Sequence, residues 1–219
     1  MRLARVWTVP RCRRATWVLL PGLILLAAPA FAQTTTGAPA GAVDAYVPIT
    51  AAGRVKWVVQ SAASLSSLGL GAVGSAWLTA DNWPKEWHRT GTGFGRRYLD
   101  SQGSAAVSSA IEVGLGMAWG EDPRYLRSGR HGVRTRLRYS LMAVALAPRR
   151  DGRLAPAWGR LSGDLLGNAI ENSWLPPSGR TRDQTVTRVA NAALDRLAAN
   201  LWAEFWPDVR QRLRRHRAG

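Results

Sequence analysis

The chain has one cysteine, Cys12, in 219 residues. That excludes a disulfide framework and any cysteine-based metal site. Three histidines, His88, His131 and His216, leave little for a histidine-rich metal centre. Lysine is nearly absent, with Lys56 and Lys85 standing against 28 arginines. Acids are also scarce, 14 against 30 bases, and the formal net charge is +16. There is no P-loop, no G-x-S-x-G elbow, no sequence repeat and no run of strand-like alternation. What is present is an ordinary apolar content of 46%, which excludes wholesale disorder, and a length suited to one domain.

The first 32 residues read as a secretory signal peptide. Residues 1–14 carry Arg2, Arg5, Arg11, Arg13 and Arg14 and no acid. An apolar run from Ala15 to Ala28 follows, then the A-x-A cleavage pattern Ala30-Phe31-Ala32. Arg13-Arg14 leaves twin-arginine export open beside general secretion. Cleavage after Ala32 removes Cys12, which suits an oxidising compartment. Residues 33–50, rich in Thr, Ala, Gly and Pro, form a flexible leader. A helical domain is expected over 51–208 and a basic tail over 209–219.

The pattern predicts an all-α bundle of about five helices joined tightly through Gly, Ala and Ser. Arg54–Thr79 is the first helical segment. It carries no charge from Trp57 to Ala80, and two tryptophans bracket it like interfacial anchors. Its length would span a bilayer, but its serines make it only mildly apolar. Ala63, Ser67, Gly71 and Ser75 make a small-residue stripe for close helix packing. Phe94–Trp119 is the second segment, apolar or small all round from Ala105 except at Glu112, which predicts burial on every side. Asp122-Pro123 reads as an N-cap and first helical residue. Val133, Leu137, Leu141 and Val144 are spaced for a third helix, and Pro148–Pro156 for a basic hairpin loop. Trp158–Trp174 is a fourth helix, with Leu161, Leu165, Ile170 and Trp174 as its apolar edge. Gly159, Gly163 and Gly167 form a GxxxGxxxG row on it that predicts a backbone-close contact. A capping box at Thr181–Gln184 opens the fifth helix, which Trp206-Pro207-Asp208 kinks or restarts.

Three blocks resemble those of a family of uncharacterised exported bacterial proteins. They are Glu121-Asp122-Pro123-Arg124-Tyr125-Leu126-Arg127, Gly167-Asn168-Ala169 with Asn172 and Pro176, and Glu204-Phe205-Trp206-Pro207-Asp208. The resemblance covers about Gly93 to Leu213. It implies export and a shared architecture, and no activity.

Each chemical motif has a plainer reading. Gly69, Gly71 and Gly74 match GxGxxG, but within a helical pattern, so they read as packing residues. Asp81, Glu86 and His88 could in principle ligate a metal, but a zinc site needs three or four ligands in a defined geometry. His88 sits beside Lys85 and Arg89 in a tryptophan-rich loop, so a solvated or interfacial role is the first reading. Glu112 is the notable acid, with Asp164 and Glu171 posing the same question of burial, and with Arg96, Arg97 and Arg124 as candidate partners. A structural salt bridge is the first reading and a general acid or base the second.

No catalytic, metal or cofactor-binding residue is assigned. Nucleic acid is a poor partner for an exported chain, so the arginines point to lipid or other envelope phosphate. The expectation is a non-enzymatic protein of the periplasm or cell envelope, associated with a membrane. The alternative is an exported enzyme using Glu112 or Asp164. The expected anionic-surface residues are Arg210, Arg212, Arg214, Arg215 and Arg217.

Overall fold

The computed structural model describes residues 46–218, with side chains as far as His216. The expected signal peptide, Cys12 and the leader up to residue 45 lie outside the described residues, as does the side chain of Arg217. The domain is an all-α bundle with one small hairpin. Its helices are α1 (Ala51–Ala63), α2 (Leu65–Ala80), α3 (Gly91–Trp119), α4 (Val133–Ala145), α5 (Trp158–Glu171) and α6 (Arg182–Ala218). Strands β1 (Leu146–Pro148) and β2 (Leu154–Pro156) pair antiparallel between α4 and α5, so the expected loop is a short ladder.

Local chemistry explains the boundaries. Thr50 opens α1 by accepting from the Gly53 N–H at 3.1 Å. Ser64 ends α1 and starts α2: its N–H donates to Gln60 O while its Oγ accepts from the Ser67 N–H. The expected single segment from Arg54 is therefore two helices of 13 and 16 residues, because a serine hydroxyl competes for the backbone. None of the described helices is long and apolar enough to cross a membrane. Thr90 caps α3, and Gly120, left-handed at φ 72°, closes it. Asp122 caps no helix, since the chain after Pro123 stays irregular up to α4. Thr181 Oγ1 accepts from Gln184 N at 3.4 Å to open α6. That helix continues through Pro207 for 37 residues, so the chain does not restart there and the expected tail is its last turns.

Helix α3 is the axis of the bundle. Helices α1 and α2 pack along it, α5 packs against it most closely, and α6 joins α5 to α4. The glycine row makes the α3–α5 contact as expected. A Cβ added at Gly159 would stand 2.6 Å from Gly116 Cα and 2.7 Å from Glu112 O. One at Gly163 would stand 2.7 Å from Ser108 O. On α2, a Cβ at Gly71 would collide with the Gln102 side chain.

The distribution of side chains inverts the usual one. Thirteen of the buried described residues are polar or charged and six are apolar, so charge and small residues, not aliphatic packing, fill the interior. The largest fully buried side chains are Arg97, Glu204 and Asp122. Meanwhile Val55, Val59, Leu68, Val73, Leu137, Leu141, Leu161, Leu165 and Ile170 are exposed. The expected all-round burial of the second segment is thus corrected. Ser109, Glu112, Val113 and Gly116 face inward, while Ala110, Gly114, Met117 and Trp119 face out. The apolar edge of α5 likewise points away from its neighbours, because its glycine face makes the contact.

Substitutions at glycine separate contact from propensity. Gly159→Ala is expected to cost about 1–3 kcal/mol, because backbone atoms block the new methyl group. Gly114→Ala, with nothing within 4 Å, is expected to gain about 0.5–1 kcal/mol from helix propensity. Chemical denaturation of the two variants checks both signs.

Candidate functional site

Four polar clusters line the interior, and the first sits in the glycine contact. Glu112 on α3 faces Arg160 on α5, with Nε 3.2 Å from Oε1, and Arg196 on α6, with Nη2 3.1 Å from Oε2. The same Arg196 amine lies 3.3 Å from Asp164. Two arginines thus balance two carboxylates. Arg160 also donates to Ala143 O at 2.6 Å and to Pro123 O at 3.4 Å. The expected partners Arg96, Arg97 and Arg124 do not reach Glu112. Arg96 is exposed. Arg97 donates instead to the carbonyls of Trp83, Pro84 and His88, pinning the loop before α3. Arg124 is held by Asp122 at 2.6 Å. Both oxygens of Glu112 are occupied by guanidinium groups, which makes it a counter-ion at a helix junction.

The second cluster joins the blocks around Tyr125 and Phe205. Glu204 accepts from Tyr125 Oη at 2.8 Å, Ser128 N at 3.0 Å, Ser128 Oγ at 2.5 Å and Arg136 Nε at 2.9 Å. Burial pushes the Glu204 carboxyl up, but these donors outweigh it and hold the group below the ordinary carboxylate value. Asp208 pairs with Arg127 and Arg136, and Arg136 lies over the Phe205 ring at 4.4 Å.

The third cluster belongs to the block at Asn168. Arg188 on α6 donates to Asn168 Oδ1 at 3.0 Å and Asn172 Oδ1 at 2.5 Å, and pairs with Glu171 at 3.3 Å. Burial, and then the neighbouring Asp100 carboxyl, raise Glu171 from 4.5 to about 7. Asp100 itself accepts from Trp174 Nε1 at 2.7 Å.

The fourth lies where the described chain begins. Asp122 accepts from Arg124 Nε at 2.9 Å and from Tyr46 Oη at 3.1 Å. Burial and Asp122 together push the Tyr46 hydroxyl up to about 12. A cavity of about 260 Å³ adjoins this cluster, lined among others by Tyr46, Ile49, Arg54, Met117 and Arg150.

The remaining sequence features fall outside these clusters. Gly69, Gly71 and Gly74 lie on α2 with no strand before them. Glu86 accepts from the Ser178 N–H at 3.1 Å, while Asp81, His88 and His131 are exposed. Among the described residues no group of three His, Cys, Asp or Glu converges as a metal site would require. Arg210, Arg212, Arg214 and Arg215 are exposed on the last turns of α6.

Sequence reasoning missed Arg160, Arg188 and Arg196. The signal for Arg188 and Arg196 was a row of polar or small residues four apart on one face of α6, running Arg188, Ala192, Arg196, Asn200 and Glu204. No family model matches the chain, and no curated protein or solved structure matches it either.

Two tests follow from these geometries. Glu112→Gln leaves buried Arg160 without its counter-charge and is expected to cost about 3–5 kcal/mol in denaturant unfolding. The folded Glu171 carboxyl holds its proton to about pH 7, whereas the unfolded one releases it near its ordinary value of 4.5. Between those values the folded state binds more protons, so stability falls as pH rises across the interval. Melting temperatures from pH 4.5 to 7.5 are expected to decline in the native chain and to decline less steeply in Glu171→Gln, where Asp195, which burial raises to about 6, still contributes.

Proposed function

We propose that this is an exported, non-enzymatic protein of the cell envelope that seats its apolar outer faces and its arginines against an anionic membrane. The observation that supports this reading is the inverted interior: ion pairs and glycines inside, large aliphatic side chains outside. Water makes such an exterior unfavourable unless something covers it. A bilayer covers it with acyl chains, and small-residue contacts with buried polar pairs are the means by which helices associate in apolar surroundings.

The tryptophans support the same occupant. Gly159 meets Gly116, so exposed Trp119 and Trp158 lie at one end of the α3–α5 pair. Trp174 bonds Asp100, and Arg97 reaches Thr79, so exposed Trp174 and Trp77 lie at the other end. Indole rings favour the boundary between acyl chains and water. The end bearing Trp119 and Trp158 also carries exposed Arg150 and Arg153, and α6 runs toward it. Charge complementarity therefore favours an anionic surface there. The contact between the Tyr125 and Phe205 blocks supports treating them as one unit of the exported family that they resemble.

Flotation with phosphatidylglycerol–phosphatidylethanolamine vesicles tests the reading. Binding is expected, with a salt-sensitive loss when residues 209–219 are removed. Leu165→Glu with Ile170→Glu, both on an exposed face, is expected to weaken the salt-resistant remainder. Recovery of the native protein wholly in the soluble periplasmic fraction, with no flotation, overturns the proposal. Larger oligomers without vesicle binding would assign the apolar faces to other copies of the chain.

A further inference from the structure

The cavity beside Asp122 has the chemistry of an anion site. Its polar wall is Arg54, only 6% exposed, with Arg150 at the rim. Arg54 Nη2 donates to the Glu121 carbonyl at 2.5 Å, and its buried Nη1 has no hydrogen-bond partner. A buried guanidinium with an idle donor and no carboxylate in ion-pair contact is unfavourable unless an anion completes it. Asp122 attracts Arg54 electrostatically, but neither nearby acid is in ion-pair contact with it. Asp122 is taken up by Arg124 and Tyr46. Glu121 accepts from Gly159 N at 2.8 Å through Oε2, its buried Oε1 has no hydrogen-bond partner, and it lies outside the cavity lining.

The rest of the lining is Gly120, Tyr46, whose hydroxyl donates to Asp122, and the apolar Pro48, Ile49, Ala51 and Met117. The volume of about 260 Å³ suits a headgroup-sized ligand and is small for a dinucleotide. Arg150 lies along Gly120 with its Nε 3.4 Å from where a Cβ would stand, so a second guanidinium borders the same space. Two guanidinium groups in one cavity with apolar side chains match a phosphate that carries a short apolar substituent.

We infer that this cavity binds the phosphate group of a small anionic amphiphile, with Arg54 as its buried ligand and Arg150 as its outer one. The site goes beyond the membrane reading, because it does not require the apolar faces to meet a bilayer. The phosphate has two sources, a lipid headgroup or a free phosphate ester, and both present the same charged oxygens.

Calorimetric titration of the full protein with dihexanoyl phosphatidylglycerol below its micelle concentration, and separately with inorganic phosphate, tests the site. Saturable one-to-one binding of the short-chain lipid is expected. Arg54→Gln is expected to weaken it roughly tenfold or more through loss of a charge-assisted hydrogen bond. Arg150 is exposed, so Arg150→Ala is expected to fold, and its expected several-fold loss keeps the test valid should Arg54→Gln fail to fold. Replacing Arg210, Arg212, Arg214 and Arg215 with serine is expected to leave this binding unchanged. Tighter binding of the short-chain lipid than of inorganic phosphate supports the amphiphile, and equal binding of the two overturns it. A parallel titration with butyl phosphate assigns a free ester if it binds as tightly as the lipid, and a lipid headgroup if it binds more weakly. Absence of binding by every probe, or equal affinity in native protein and Arg150→Ala, overturns the inference. Failure of vesicle flotation with retained short-chain lipid binding would remove the membrane reading and leave this site standing.

Discussion

The contact between Gly159, Gly163, Gly167 and the Ser108–Gly116 stretch of α3 sets the terms for the whole bundle. Backbones this close leave no room for aliphatic side chains between the helices. The Glu112 carboxylate emerges at that seam, in surroundings where an uncompensated charge is prohibitive. Arg160 answers it from α5, and the same guanidinium fastens the last turn of α4 through Ala143 O and the Gly120 turn through Pro123 O. Arg196 answers it from α6 and brings Asp164 into balance. One helix contact thereby fixes the position of three further elements through two arginines.

Two of the other clusters repeat this device along α6. Arg188 reads the amides of Asn168 and Asn172, so its place depends on the α5 C-terminus. Glu204 gathers Tyr125, Ser128 and Arg136, so the irregular chain after Pro123 is ordered by a helix residue 76 positions away from Ser128. Specificity of this kind resides in hydrogen-bond geometry, which tolerates one arrangement, and not in shape-filling, which tolerates several.

The helical elements were legible because their signals are local. Thr50, Thr90 and Thr181 each cap a helix from their own side chains, and Gly120 ends one by its left-handed backbone. The glycine row was legible too, since three glycines four apart have few other uses in a helix. The interior was harder to read. Sequence analysis named Leu161, Leu165 and Ile170 as the apolar edge of the fourth helix, and they turned outward. The opposite stripe carried the information: Arg160, Asp164, Asn168 and Glu171 on α5, and Arg196, Asn200 and Glu204 on α6. Partners for Glu112 were sought among Arg96, Arg97 and Arg124, whose positions relative to it depend on tertiary packing. The break at Ser64 was missed because a single hydroxyl decided it within an otherwise helical run.

The inverted interior also bears on what stabilises the molecule. In water, apolar burial is the main favourable term, and a buried ion pair contributes little net stability beside a well-packed aliphatic alternative. A chain that keeps Leu and Val outside forgoes that term within itself. In apolar surroundings the balance changes. Aliphatic side chains then gain nothing by turning inward, while polar groups and close backbone contacts gain by pairing with one another. The arrangement of Glu112, Arg160 and the three glycines is favourable under the second condition and marginal under the first. A cover over Leu165 and its neighbours would therefore stabilise the ionic seam more than the helices themselves, whose caps and backbone bonds are local.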